Sequence, residues 1–330
     1  MGRSVRMEVV AALLALPAGM AVAQAASTGS GQVYPARSVR VIVGFPPGSG
    51  ADITARVIGA KLYEVVGQQF LTDNRPGAGS NIAAEVSAKS LPDGYTLFIG
   101  TVANTINATL YSKLPFDFAR DFAPVILATA APNVLVIHPS VPARSVKDLI
   151  ALAKSRPGQL DFASSGVGTA PHLSGELFKA MAGVNLTHIP YKGSPPAVAD
   201  LIAGSVDVMF SPASTVLPHI KSGRLRALAV TTSARLPSLP ALPTVSDAAL
   251  EGYETVTWFG YVAPVKTPTT IVTKLNADIA KVLAMPDVRN QFDIQGIEIL
   301  GGTPERFAGY IREEIAKWAK VVRLSGAKAD

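Results

Sequence analysis

Several glycine-rich stretches of this chain place hydroxyls, glycines and unpaired backbone amides at the start of a helical pattern. The first-turn N–H groups of a helix have no internal acceptor and sit at the positive end of its dipole, so such a start can receive a carboxylate or phosphate. The clearest stretch is Phe45-Pro46-Pro47-Gly48-Ser49-Gly50-Ala51-Asp52, which follows a short apolar run and opens a helical period. Gly48 and Gly50 let the backbone come close to a ligand. The same residues also suit a plain tight turn between strand and helix, with Asp52 as a capping or first-turn acid. Asp52 is expected to organise the loop rather than to act as an acid catalyst.

Arg75-Pro76-Gly77-Ala78-Gly79-Ser80-Asn81 repeats this logic before a second helix, with Gly79, Ser80 and Asn81 as the candidate binding residues. Thr101, just past an apolar strand pattern, joins the set. Ser164-Ser165-Gly166-Val167-Gly168-Thr169-Ala170-Pro171-His172 lies between another strand and helix, and offers Ser164, Ser165, Gly166 and Thr169 to an anionic end. His172 is either a base or a locally hydrogen-bonded residue at a helix start. In His188-Ile189-Pro190-Tyr191-Lys192-Gly193-Ser194, Lys192 either neutralises a carboxylate or is a surface charge.

Other chemistries lack their residues. There is no Gly-x-x-x-x-Gly-Lys-Ser/Thr, and the Gly-x-Gly pairs lack the third glycine of a dinucleotide fingerprint. There is no Gly-x-Ser-x-Gly elbow to present a nucleophile. The four histidines, His138, His172, His188 and His219, show no metal-binding helical spacing. The absence of cysteine removes disulfides, thiolate metal sites and a lipidated cysteine. No enzyme activity, metal or cofactor is therefore expected. The formal charge of +6 is spread over single Lys and Arg residues. It argues for a mild attraction of small anions and against nucleic-acid binding.

The elements that must hold these loops follow an α/β alternation. Strands are expected at Val39–Phe45, Tyr95–Gly100, Val134–Ile137, Leu160–Ala163, Val206–Phe210, Leu225–Thr231 and Val256–Val262. Helices are expected at Ile53–Val66, Asn81–Lys89, Ser145–Ser155 and His172–Ala182, and from Thr269, Pro286 and Pro304. Arg235–Ser246 reads as a proline-rich surface loop. No Pro/Gly/Ser-rich seam divides the chain, and the possible crossings near Ala128–Val134 and Tyr253–Val262 are themselves strand-like. That pattern predicts a discontinuous first lobe, residues 26–132 and 257–330, and a second lobe, residues 133–256, with ligand held in the cleft between them.

At the N-terminus, Arg3 and Arg6 precede the apolar run Val9–Val22, with Glu8 as an atypical acid, and Ala23-Gln24-Ala25 supplies small residues for cleavage. Residues 1–25 thus read as a cleavable signal peptide, with Ala26 as the mature start and the periplasm as the destination. The run is short for a membrane span, and no later segment is long enough for one.

In order and spacing, these segments resemble the Bug family, the tripartite tricarboxylate transporter receptors. The marks are the loop ending at Asp52, Asn74-Arg75-Pro76-Gly77-Ala78-Gly79, Pro92-Asp93-Gly94-Tyr95, Tyr191-Lys192-Gly193, Pro218-His219-Ile220-Lys221 and Gly301-Gly302-Thr303-Pro304. The resemblance runs from Tyr34 to Asp330. It implies a two-lobe, type II-like periplasmic binding protein fold that captures a small organic acid through backbone N–H groups and ordered water. It also implies an inner-membrane permease or, as an alternative, a sensor kinase as partner. The chain is expected to be a monomer. Many members carry a polar pair such as Asp-Asn where this chain has Ser211-Pro212, so the ligand is expected to lack an amino group and Ser211 to join the site.

Overall fold

The computed structural model describes residues 1–2, 34–236 and 239–329. The expected signal peptide, beyond Met1 and Gly2, and the expected mature start at Ala26 lie outside the described residues. Tyr34–Asp330 form one compact unit.

Apolar runs become strands and amphipathic stretches become helices. The order begins β1 (Val39–Val43), α1 (Gly50–Val66), β2 (Phe70–Asn74), α2 (Asn81–Ala88), β3 (Thr96–Thr101), α3 (Val102–Leu110) and β4 (Phe122–Ile137). There follow α4 (Val146–Ser155), β5 (Asp161–Ser164), α5 (Ala170–Ala182), β6 (Thr187–Pro190), α6 (Ser194–Ala203), β7 (Val208–Pro212), α7 (Ala213–Lys221) and β8 (Arg226–Val230). The last elements are α8 (Val245–Ala248), β9 (Val256–Pro264), α9 (Thr269–Leu283), α10 (Pro286–Ile294), β10 (Glu298–Ile299) and α11 (Pro304–Ser325).

The strands form the path β2-β1-β3-β9-β4-β7-β5-β6, with β8 and β10 also paired to β4. β4 is the shared member. Its residues Phe122 to Pro132 pair antiparallel with β9, and Asn133 to Ile137 pair antiparallel with β7. The sheet thus divides at Pro132/Asn133 into a first half around β1 and a second half around β5. Within each half the strands that deliver the glycine-rich loops are parallel, β2-β1-β3 and β6-β5-β7. Parallel strands send the loops at their carboxyl ends toward the same edge.

The apolar core lies on both faces of each half. One cluster joins the two halves, because Ala170 and Leu173 of α5 pack with Ile106 and Leu110 of α3 and with Trp318 and Val322 of α11. α11 is pinned to β9 by a buried carboxylate. Glu314 Oε2 accepts from Trp258 Nε1 at 3.0 Å and from Trp318 Nε1 at 2.9 Å, with Lys317 Nζ 3.5 Å from Oε1. Among the described residues no helix is long and apolar enough to cross a membrane.

Of the elements that exceed what the pattern of residues predicted, two bear on the candidate site. α3 was not expected, because seven of its nine residues are buried and it has no polar stripe to set a helical period. β7 runs to Pro212 rather than stopping at Phe210, which draws Ser211 into the ladder opposite Val134.

Replacing Glu314 by alanine strands two buried indole N–H groups. The expected loss in urea unfolding is about 3 kcal/mol for Glu314→Ala and less than half that for Glu314→Gln, which keeps an acceptor.

Candidate anion-binding site

The N-terminal ends of α1, α3, α5 and α6, with the residue that precedes α7, meet at one cavity. Its wall includes Ser49 with Gly50 and Ala51 of α1, Thr101 with Val102 and Ala103 of α3, and Thr169 with Ala170 and Pro171 of α5, the first of each set standing at the N-cap position of its helix. Ser194 comes from α6 and Pro212 from the start of α7, while Phe45, Ser165, Thr257 and Phe259 complete the enclosure. Among the described residues, no charged side chain lines it. Its positive field comes from helix dipoles, each equivalent to about half an elementary charge at its N-terminus.

The caps at these helices determine which amides remain for a ligand. Ser49 Oγ accepts from Asp52 N at 3.4 Å, so the N–H groups of Gly50 and Ala51 have no partner within α1. Thr101 Oγ1 accepts from Ala103 N at 3.2 Å, and Asn104 Oδ1 accepts from Thr101 N at 2.9 Å. This capping box leaves Val102 N–H as the free donor of that turn. Thr169 does not cap its helix: its hydroxyl donates to Gly166 O at 2.7 Å, leaving Ala170 N–H at the wall.

Asp52 is buried and sits behind the wall. Its carboxylate accepts from Gly48 N at 2.9 Å, from Arg56 Nε at 2.9 and 3.0 Å, and from Asn74 Nδ2 at 2.9 Å. Asn74 Nδ2 also donates to Phe45 O at 2.9 Å. Asp52 therefore ties both ends of the 45–52 loop to the strand that follows α1. Pro47 and Gly48 themselves face a groove on the outer side, against Pro195 and Val198.

Gly79, Ser80, Gly166 and Lys192 line a neighbouring chamber, which shares Phe45 and Ser165 with the first cavity. The loop entering α2 takes positive φ at Gly77 (141°), Ala78 (46°), Gly79 (57°) and Ser80 (77°). That backbone is strained at the two residues bearing a Cβ, and it is held by the packing around it. Asn81 supports the chamber from behind, accepting from Asn107 Nδ2 at 2.9 Å. Lys192 is exposed.

Ser164 and His172 also lie behind the wall. Ser164 Oγ bonds His188 Nε2 at 2.6 Å and accepts from Gly166 N at 3.1 Å, while His172 Nδ1 accepts from Gly168 N at 3.2 Å. The imidazoles of His172 and His188 stack 4.1 Å apart, and His188 stacks on Phe162 at 4.7 Å. Ser211 is fully buried in β7 and does not reach the cavity, which its neighbour Pro212 does. The reading of the sequence passed over Ala103, Ser194, Thr257, Phe259, Asn74 and Asn107. The Thr101/Asn104 spacing was the one signal that would have located the first turn of α3.

Burial lowers the His172 imidazole to about 3, with repulsion from His188 and Lys179 adding to it. Burial and Lys179 lower His188 to about 4. An unfolded histidine titrates near pH 6.5. As pH falls from there through 4 to 3, the unfolded chain takes up protons that the folded one excludes, so this contribution to stability is intact above pH 6.5 and is lost through that window. The melting temperature is expected to decline from pH 7 to pH 4, and the decline to be shallower in His172→Asn, by up to about 1.4 kcal/mol per pH unit. Asp52→Ala, which frees Gly48 N–H and unties the 45–52 loop, is expected to destabilise the fold by about 2 kcal/mol in urea unfolding.

Residues 54–326 match the family model described as tripartite tricarboxylate transporter family receptor. Protein BugT of Bordetella pertussis is 39% identical over 311 residues, 94% of this chain and 95% of BugT. The R. palustris protein Rpa4515, solved with adipate, is similar with a TM-score of 0.87 and 42% identity, over 89% of this chain and 99% of that one. MatC from Rhodopseudomonas palustris, solved with bound malate, gives a TM-score of 0.84 and 32% identity, over 88% of this chain and 100% of MatC. With a family model spanning most of its length and relatives aligned nearly end to end, this chain belongs to the tripartite tricarboxylate transporter receptor family.

Proposed function

We propose that the chain is a periplasmic receptor, without catalysis, that captures a small organic carboxylate for a tripartite tricarboxylate-type permease. The observation that carries this reading is the meeting of several helix first turns at one cavity without a charged wall. A carboxylate there would accept from the amides of Gly50, Ala51, Val102 and Ala170 and from the hydroxyls of Thr101, Ser165 and Ser194. No acidic side chain among the described residues lines the cavity, so a ligand ammonium would find no counter-charge. The ligand is therefore an acid without an amino group. The adipate and malate held by Rpa4515 and MatC are acids of that kind. In this reading the two halves of the sheet act as lobes joined at β4 and β9, and the cavity closes around its ligand as one chain.

The test is a thermal-shift screen followed by calorimetry with succinate, malate, adipate, citrate, benzoate, aspartate and glutamate. At about 100 times its Kd, a ligand that binds only the folded protein adds about 2.7 kcal/mol, which raises the melting temperature by several degrees. At least one acid lacking an amino group is expected to do so. A shift with aspartate or glutamate alone, or with none of the acids, overturns the reading.

A further inference from the structure

One place where the two halves meet across the cleft is a buried amide side chain. Asn107 lies in the middle of α3 and is wholly buried. Its Nδ2 donates to Gly79 O at 3.0 Å and to Asn81 Oδ1 at 2.9 Å, which holds the positive-φ loop of the first half. Its Oδ1 is shielded from solvent and has no hydrogen-bond partner among the described residues. Against it lies Gly168, at φ 76° in the loop between β5 and α5 of the second half. A Cβ at Gly168 would overlap Asn107 Oδ1. The Gly168 N–H is given to His172 Nδ1, so it does not serve the Asn107 oxygen. Beside this contact, a Cβ at Gly79 would come within 2.5 Å of Val167 O.

We propose that Asn107 is a positioning residue for ligand capture. It sets the 77–81 loop in register with the 166–168 backbone as the halves close, and its unpaired oxygen makes closing the empty cleft unfavourable. The proposal rests on reading the cavity as the capture site. A buried acceptor without a donor has lost its water and gained nothing in return, and it recovers that water when the halves part. A ligand that draws the first-turn amides of both halves together offsets the loss, so closure follows the ligand rather than preceding it. Gly168 is needed because any side chain there would meet Asn107 before the halves met.

A double-mutant cycle tests this, using Gly168→Ala, Asn107→Ala and the pair. The readouts are solution-scattering dimensions without ligand, urea stability, and the calorimetric Kd for the acid giving the largest thermal shift. Asn107→Ala is expected to shrink the ligand-free particle, and Gly168→Ala to weaken binding about 30-fold in the wild-type background but no more than about threefold in the Asn107→Ala background. The strain of a positive-φ alanine lowers urea stability equally in both backgrounds and so does not produce that difference. The same loss of affinity in both backgrounds, or unchanged ligand-free dimensions in Asn107→Ala, overturns the proposal. If no acid binds the wild type, the function proposed above fails, and the scattering comparison still decides the role of Asn107.

Discussion

A helix leaves the amides of its first turn without partners, and that constraint shapes this molecule around its cavity. Several first turns are turned inward together, so the constraint becomes a source of donors. The caps set how many remain. Ser49 and Thr101 each take up one amide, whereas Thr169 gives its hydroxyl to Gly166 and leaves its helix start uncovered. Titratable and amide side chains are placed one layer back, where Asp52, Asn74, His172 and His188 hold the loops in shape. A wall made of amides, hydroxyls and apolar groups reads an anion by geometry, because its dipoles are fixed before the ligand arrives.

The floor of the cavity belongs to the strands that join the halves. Thr257 and Phe259 sit on β9, which pairs with β4 over most of its length. A rotation about these strands would leave that floor nearly still, while the loops at 45–52 and 164–169 moved toward or away from it. The shared core of α3, α5 and α11 limits how far such a rotation can go before apolar surface is exposed.

Much of the framework was legible from residue types. Ser145 and Thr303 cap the helices they precede, and Pro286 and Pro304 stand at the first positions of theirs. The 45–52 loop was legible too, because glycine, serine and aspartate between an apolar run and a helical period have few other uses. Other features were hidden for physical reasons. α3 is buried nearly all round and carries asparagine and threonine where a helix usually shows a stripe. β2 is a half-exposed edge strand whose sequence, Phe-Leu-Thr-Asp-Asn, resembles a loop. Ser211 stood just past an apolar run and so looked like a strand end facing the cleft, until pairing with β4 carried the strand two residues further. The His172–His188 stack and the Asn107–Gly168 contact join residues that only the fold brings together, and no spacing along the chain announces them.

The chain has two tryptophans, and both donate to one oxygen of Glu314. Trp258 is followed directly by Phe259, whose ring walls the cavity, and Trp318 lies on the helix that spans the joint between the halves. The protein's tryptophan emission therefore originates from a single anchored point at that joint. Its colour and quenching report how α11 sits on β9, which gives the molecule a built-in optical gauge of that contact without any attached dye.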